Sequence, residues 1–214
     1  MSVRCVRKYR ESDRDAVRDI CYRTGLMGES AESYWPHKES FVELWTSYYT
    51  DEEPESLYVA TINDVVVGYL TGCMDTASAP RPAERFAAIL ERYELWNQPG
   101  VAEYLIRAKQ DSANDTEHPK GELLDPRWPA HLHINLLPEA RGTGLGALLM
   151  KQWQDHLRQA GVPGCHLGTI AENTRAIGFF ERMGFEKYGR PVLIPGLRGP
   201  VGEWLHEQLM VWST

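Results

Sequence analysis

The chain has little cysteine, no long apolar run and no concentrated positive charge, and each shortage removes a class of protein. Its four cysteines (Cys5, Cys21, Cys73 and Cys165) are scattered, with no C-x-x-C pair. That spacing supports neither a zinc site nor a disulfide framework, so buried free thiols are the expectation and no metal is expected. No stretch approaches the roughly eighteen consecutive apolar residues of a membrane span. Met1-Ser2-Val3-Arg4-Cys5 runs straight into a strand pattern without the apolar segment of a signal peptide, which makes the cytoplasm the expected location. Lys and Arg number 23 against 30 Asp and Glu, a formal charge of −7, and no basic run stands out. Nucleic-acid binding needs a basic face that this composition does not offer, so neither nucleic acid nor membrane is expected as a partner.

What is present suits a soluble globular chain: 43% hydrophobic and 25% charged residues over 214 positions. One domain spanning residues 1–214, with insertions, is the expectation at this length. Strand patterns fall at Val3 to Lys8, at Leu57 to Ile62 and at Val65 to Met74, the last two joined as a hairpin at Asn63-Asp64. Val17, Ile20, Cys21 and Thr24 recur at helical spacing behind Ser12-Asp13, and Phe41, Leu44, Trp45 and Tyr48 mark a second helix. Residues 76–129 read as a helical insertion, with faces at Phe86 to Tyr93 and Val101 to Ala108 and a polar, mobile loop from Asp111 to Gly121. Alternating strands and helices then resume, closed by strands at Phe185 to Tyr188 and Gln208 to Trp212. Residues 190–207, opening on a Pro- and Gly-rich run, read as a long ordered loop. The pattern is that of an α/β fold around one mixed sheet.

One stretch carries chemistry. His131-Leu132-His133-Ile134-Asn135-Leu136 alternates at strand period and leads through Leu137-Pro138-Glu139-Ala140 into Arg141-Gly142-Thr143-Gly144-Leu145-Gly146. Leu145, Leu148, Leu149 and Trp153 then follow at helical spacing. Glycines at every second position leave backbone N–H groups bare at a helix N-terminus, where the dipole favours an anion, and Arg141 adds a fixed positive charge. A diphosphate suits such a corner. It is not a Walker loop, since Ala147-Leu148 stand where Lys and Ser or Thr would be, and its spacing is not the dinucleotide G-x-G-x-x-G.

Arg141-Gly142-Thr143-Gly144-Leu145-Gly146 resembles the R/Q-x-x-G-x-G/A signature of the GNAT acetyltransferase superfamily. Some thirty residues on, Asn173-Thr174-Arg175-Ala176-Ile177-Gly178-Phe179-Phe180-Glu181-Arg182-Met183-Gly184-Phe185 is similar to that family's N-x-x-A-x-x-F-Y-x-x-x-G-F helix. Tyr48 to Ser56 and Trp128 to Ile134 look like bacterial GNAT proteins related to the acetyltransferase-like (pseudo-HAT) domain of O-GlcNAcase. The resemblance implies a GNAT fold, a mostly antiparallel mixed sheet flanked by helices, with the insertion preceding the cofactor-binding strand. It implies acetyl-CoA as cosubstrate and transfer of acetyl to the amine of a small molecule or peptide, in a monomer or homodimer. By the same resemblance, the backbone of Leu136 and Leu137 pairs with the pantetheine arm and residues 142–146 take the diphosphate. Asn173 hydrogen-bonds the pantetheine, and Phe180 adjoins the cofactor.

Two positions depart from the family pattern. Phe180 stands where the tyrosine that commonly protonates the thiolate is found, and Asn135 where the related domains tend to carry Asp. Both departures also fit an acetyl-CoA-binding module with weak or no turnover. Loss of the acid is tolerable, since a thiol of pKa about 8.5 leaves readily near neutral pH; Tyr188 is a possible substitute. An amine of pKa about 10.4 still has to lose a proton. His131, His133 and Glu172 are the candidate bases, with Asn135 able to orient a water or the amine. The plainer alternative is that both histidines pack under the insertion with their nitrogens satisfied and that Glu172 is a solvated cap. Trp45, Tyr48, Tyr49, Trp96 and Trp128 read mostly as core, one or two of them walling an acceptor pocket.

Overall fold

A computed structural model describes residues 2–114 and 123–214. In chain order the elements are β1 (Arg4–Lys8), α1 (Arg14–Arg23), α2 (Lys38–Asp51), β2 (Tyr58–Ile62), β3 (Val65–Cys73), α3 (Pro82–Arg92) and α4 (Val101–Asn114). They continue with β4 (Ala130–Leu136), α5 (Leu145–Gln159), β5 (Gly164–Ile170), α6 (Thr174–Arg182), β6 (Glu186–Arg198) and β7 (Trp204–Ser213). The strands form one sheet in the order β1-β2-β3-β4-β5-β7-β6, with β4 and β5 parallel and every other neighbouring pair antiparallel. This is the one mixed sheet that the strand pattern implies, mostly antiparallel as the resemblance implies.

Alternation along the strands sorts the side chains onto two faces. Leu132 of β4 and Cys165 and Leu167 of β5 pack against α5 and α6. On α5, Leu145, Leu149, Trp153 and Leu157 make one fully buried stripe. The Trp153 ring lies against the α-carbon of Gly72, where an added Cβ would stand 2.8 Å from Cε3. Burying that ring contributes on the order of 2–3 kcal/mol. The opposite face meets α1, α2 and the insertion helices through Val59, Tyr69 and Cys73. Asn63 and Asp64 have φ of 49° and 65°, the paired positive values of a tight hairpin turn between β2 and β3.

Three expectations need correction. Residues 190–207 are not a long loop: β6 runs to Arg198 and pairs with β7 through two register shifts. Pro191 and Pro195, which signalled a loop, are tolerated because β6 is the sheet's last strand. Asp111 holds it down from α4: its carboxylate accepts from Gly196 N (2.7 Å) and from both terminal nitrogens of Arg198 (2.9 and 3.0 Å). Of the loop expected from Asp111 to Gly121, residues 111–114 complete α4 and the remainder lies outside the described residues. Ser12 does not cap α1; Asp13 stands at the cap and its carboxylate accepts from Arg10 N at 2.9 Å and from Arg7. No helix among the described residues is long and apolar enough to cross a membrane.

The feature that positions the site is a divergence. The β4–β5 ladder has two pairs, Ala130↔Cys165 and His131↔His166, after which the strands separate. Leu137 N donates to Val67 O at 2.9 Å, so residues 133, 135 and 137 aim their backbone at β3. By alternation, Ile134 and Leu136 aim theirs into the gap.

Candidate functional site at the divergence of β4 and β5

The gap opens onto the glycine corner. A single tight turn at Pro138–Ala140 carries the chain from β4 to Arg141. Gly142 and Gly144 have φ of 71° and 88°, which favour glycine, and a Cβ added at either meets nothing within 4 Å. Gly144 caps α5 without a side-chain hydrogen bond, so the first-turn N–H groups have no side-chain cap. Gly146 serves packing instead: an added Cβ would stand 2.9 Å from Leu136 Cδ1 and 3.5 Å from the Phe179 ring. Leu145 is fully buried, and the Thr143 hydroxyl closes the turn by donating to Ala140 O at 2.6 Å.

Two guanidinium groups converge beside this corner. Arg141 donates through Nε to Leu136 O (3.1 Å) and through Nη2 to Gly28 O (2.6 Å), while Arg175 Nη2 donates to Met27 O (3.4 Å). A Cβ on Gly28 would lie 2.9 Å from an Nη2 of each. Burial, and then the Arg175 charge, push Arg141 below its usual pKa. A dianion placed here relieves that repulsion and meets the bare N–H groups of α5. Arg175 was overlooked in the sequence, although a cation in the first turn of α6 opposes the helix dipole and is itself a signal. Asn173 caps α6, its Oδ1 accepting from Ala176 N at 3.2 Å.

The base candidates are divided between the faces of the sheet. His131, 8% exposed, has both ring nitrogens engaged, Nε2 with the Tyr49 hydroxyl and Nδ1 with the Thr76 hydroxyl, each at 2.8 Å. Burial, then the neighbouring histidines and Arg85, push its pKa well below the usual value. It is a packing residue and leaves the list of bases. The His133 ring lies edge-on to Trp45 and Tyr49, at centroid distances of 5.6 and 5.5 Å. Its nitrogens have no hydrogen-bond partner among the described residues. Burial, followed by Arg85 and His166, takes its pKa down to about 4, too low for it to hold much of an amine's proton at neutral pH. Asn135 donates through Nδ2 to the Thr24 hydroxyl at 2.7 Å and ties β4 to the end of α1.

Glu172 accepts from His206 Nδ1 (2.7 Å) and His206 N (3.1 Å). Burial alone would raise its carboxyl, but the His206 hydrogen bonds outweigh that and hold it low. His206 shares its face of β7 with Gln208 and Met210, the α6 side, opposite the one that carries the two histidines of β4. Glu172 is therefore oriented by His206 and does not stand beside His133. Phe180, 6% exposed, packs against Phe179 and Phe185 in the core, so it presents almost no surface to a cofactor; half-buried Phe179 is the ring at Gly146. The Leu137 N–H is spent on Val67, and Ile134 takes its place beside Leu136 at the gap. Of the aromatic set, Tyr49 is core, Trp45 and Trp96 are exposed, and Trp128 meets Tyr188 edge-on.

A sequence model of the acetyltransferase (GNAT) family matches residues 24–185, which include both the glycine corner and α6. The chain belongs to this family. GNAT proteins use acetyl-CoA. The structure of SsHAT is similar over 98% of each chain, with a TM-score of 0.65 and 26% identity. The Salmonella typhimurium protein yncA, solved with its cofactor acetyl-CoA, shares the fold at a TM-score of 0.58 and 16% identity, over 98% of this chain and 93% of its own. A mycothiol acetyltransferase of Pseudarthrobacter chlorophenolicus is 34% identical over 70 residues, 33% of this chain and 20% of the relative. One from Streptomyces griseus is 42% identical over 52 residues, 24% and 17% respectively. The match thus spans about a fifth of the length of these curated relatives.

Proposed function

We propose that this GNAT protein transfers acetyl from acetyl-CoA to a primary amine, on a small molecule or peptide, by direct attack in a ternary complex. The observation that carries the reading is the continuity of the β4–β5 gap with the open glycine corner. The N–H groups of residues 142–146, with Arg141 and Arg175, fit the diphosphate, and the edge at Ile134 and Leu136 fits an extended amide-bearing arm. Acetyl-CoA would supply an activated acyl group whose thiolate leaves readily. The chain's part is to align the arm along β4, hold the carbonyl near a backbone donor and bring the amine to the same point. Within this reading we place the protein near the O-GlcNAcase-related bacterial GNAT branch, in the cytoplasm, as a monomer or homodimer.

Calorimetry with acetyl-CoA and CoA, followed by acetyl-CoA turnover across amines, peptides and aminosugars, tests the reading. Micromolar binding and turnover with at least one amine are expected. Absence of heat and of any thermal shift with both nucleotides would overturn it. Binding without turnover of any amine would instead identify a cofactor-binding module.

A further inference from the structure

His166 of β5 forms with His131 the last pair of the β4–β5 ladder, so it stands where the two strands part. Cys165 and Leu167 pack toward α5 and α6. By alternation Gly164, His166 and Gly168 line the other face of β5, the one that carries His131 and His133 on β4. A Cβ on Gly164 would stand 2.7 Å from Trp128 Cδ1 and 2.8 Å from Arg127 O. The segment before β4 therefore lies over β5 behind His166, on the closed side of the ladder. His166 Nδ1 is 2.8 Å from Trp128 O. A carbonyl oxygen only accepts, so Nδ1 carries the proton and the lone pair of the neutral ring is on Nε2. The two nitrogens of an imidazole face away from each other. With Nδ1 turned back to Trp128, Nε2 turns forward, toward Gly168 and the opening.

Nε2 has no hydrogen-bond partner among the described residues. The sealed side-chain atoms without a partner among those residues are Ser56 Oγ, Thr71 Oγ1 and Trp153 Nε1, so Nε2 keeps contact with solvent. His131, its ring 5.8 Å away, differs in having both nitrogens bonded. Burial pushes His166 below its usual pKa and the Trp128 bond pulls it back up, an offset that His133 lacks. The ring is thus uncharged at neutral pH and ready to accept. The titratable and charged groups around it are His131 and His133 on β4, Tyr49 on α2, Arg85 on α3, Glu207 over Gly168, and Arg127 paired with Asp125. We propose that His166 is the general base of the acetyl transfer, its Nε2 taking the proton that the acceptor nitrogen sheds during attack. This rests on the acetyl-transfer reading above. As the unprotonated amine bonds to the thioester carbon, its nitrogen becomes acidic and one of its protons passes to Nε2. The carbon–sulfur bond breaks with its electron pair on sulfur. The imidazolium then gives the proton to the thiolate through solvent, leaving an amide and a free thiol. Trp128 O steadies the ring throughout, since Nδ1 donates to it in both charge states.

The test compares wild type with His166→Asn, His166→Gln and His131→Gln. The side-chain amide of the asparagine variant replaces Nδ1 as donor to Trp128 O and offers nothing in place of Nε2. Measurements are kcat/KM from about pH 5 to 9 on an amine turned over by the wild type, expressed per unprotonated amine, with CoA affinity and melting temperature. Wild-type kcat/KM is expected to fall with pH through one inflection below about 6.5. Both His166 variants should lose about 100-fold or more near neutral pH and show no inflection, with CoA affinity changed by less than about threefold. His131→Gln should lower the melting temperature and keep the inflection. Either His166 variant within about threefold of wild type would overturn the assignment while leaving the acetyltransferase reading intact. An inflection that survives in the His166 variants, or a wild-type profile without one, would overturn it too. A wild type that turns over no amine removes both readings.

Discussion

Phe180 packs edge-on against Phe179 and Phe185, and a hydroxyl introduced on its ring enters an apolar site. Phe180→Tyr is therefore expected to cost about 1–3 kcal/mol of stability, seen as a lower melting temperature, and to change turnover by less than about tenfold, or 1.4 kcal/mol. A larger gain in turnover at unchanged melting temperature would mean that the hydroxyl reaches the leaving sulfur. His131 illustrates the same point at another residue: once both nitrogens are bonded, what a histidine does is hold Tyr49 and Thr76 in place.

At the scale of elements, the join between β4 and α5 separates two uses of glycine. Gly142 and Gly144 are open and left-handed, whereas Gly146 lets α5 approach Leu136. Gly144→Ala introduces about 1 kcal/mol of backbone strain and no steric conflict. Gly144→Asp adds a negative charge beside the proposed diphosphate site. Calorimetry should show CoA affinity falling at least about tenfold for Asp and much less for Ala. Equal effects of the two substitutions would mean that conformation, not charge, is what the corner supplies.

For the molecule as a whole, buried histidines set the response to acid. Burial is the first cause of the depressed pKa of His131, His133, His156 and His166. A histidine that titrates lower in the folded chain leaves the unfolded chain binding more protons, so stability rises with pH through the window between the two values. For His133 that window runs from about 4 in the folded chain to 6.5 unfolded. The melting temperature should be flat above about pH 7 and fall by about 5 °C or more toward pH 5, with a shallower slope in His133→Gln. The low-lying carboxyls of Asp13 and Asp111 act in a separate window, as pH falls below the ordinary carboxylate value near 3.9. A melting temperature that does not change from pH 7.5 to 4.5 would show that these rings are not buried as described.

Local regularities were legible in the sequence. The alternation of β4, the Asn63-Asp64 turn, the apolar stripe of α5 and the glycine corner depend on residues within a few positions of one another, and they sufficed for these elements and for the open turn between β4 and α5. The Pro and Gly run after Arg190 misled because proline forbids a central strand but not an edge one, and edge position is a property of the whole sheet. The base candidates depended on partners far away in the chain. His131 is bonded to residues 82 and 55 positions away and Asn135 to one 111 positions away. Periodicity gives the face a side chain takes, but burial and hydrogen-bond satisfaction are fixed by whatever folds over that face. Only the tertiary structure could therefore engage both nitrogens of His131, tie Asn135 to Thr24 and give Phe180 to the core.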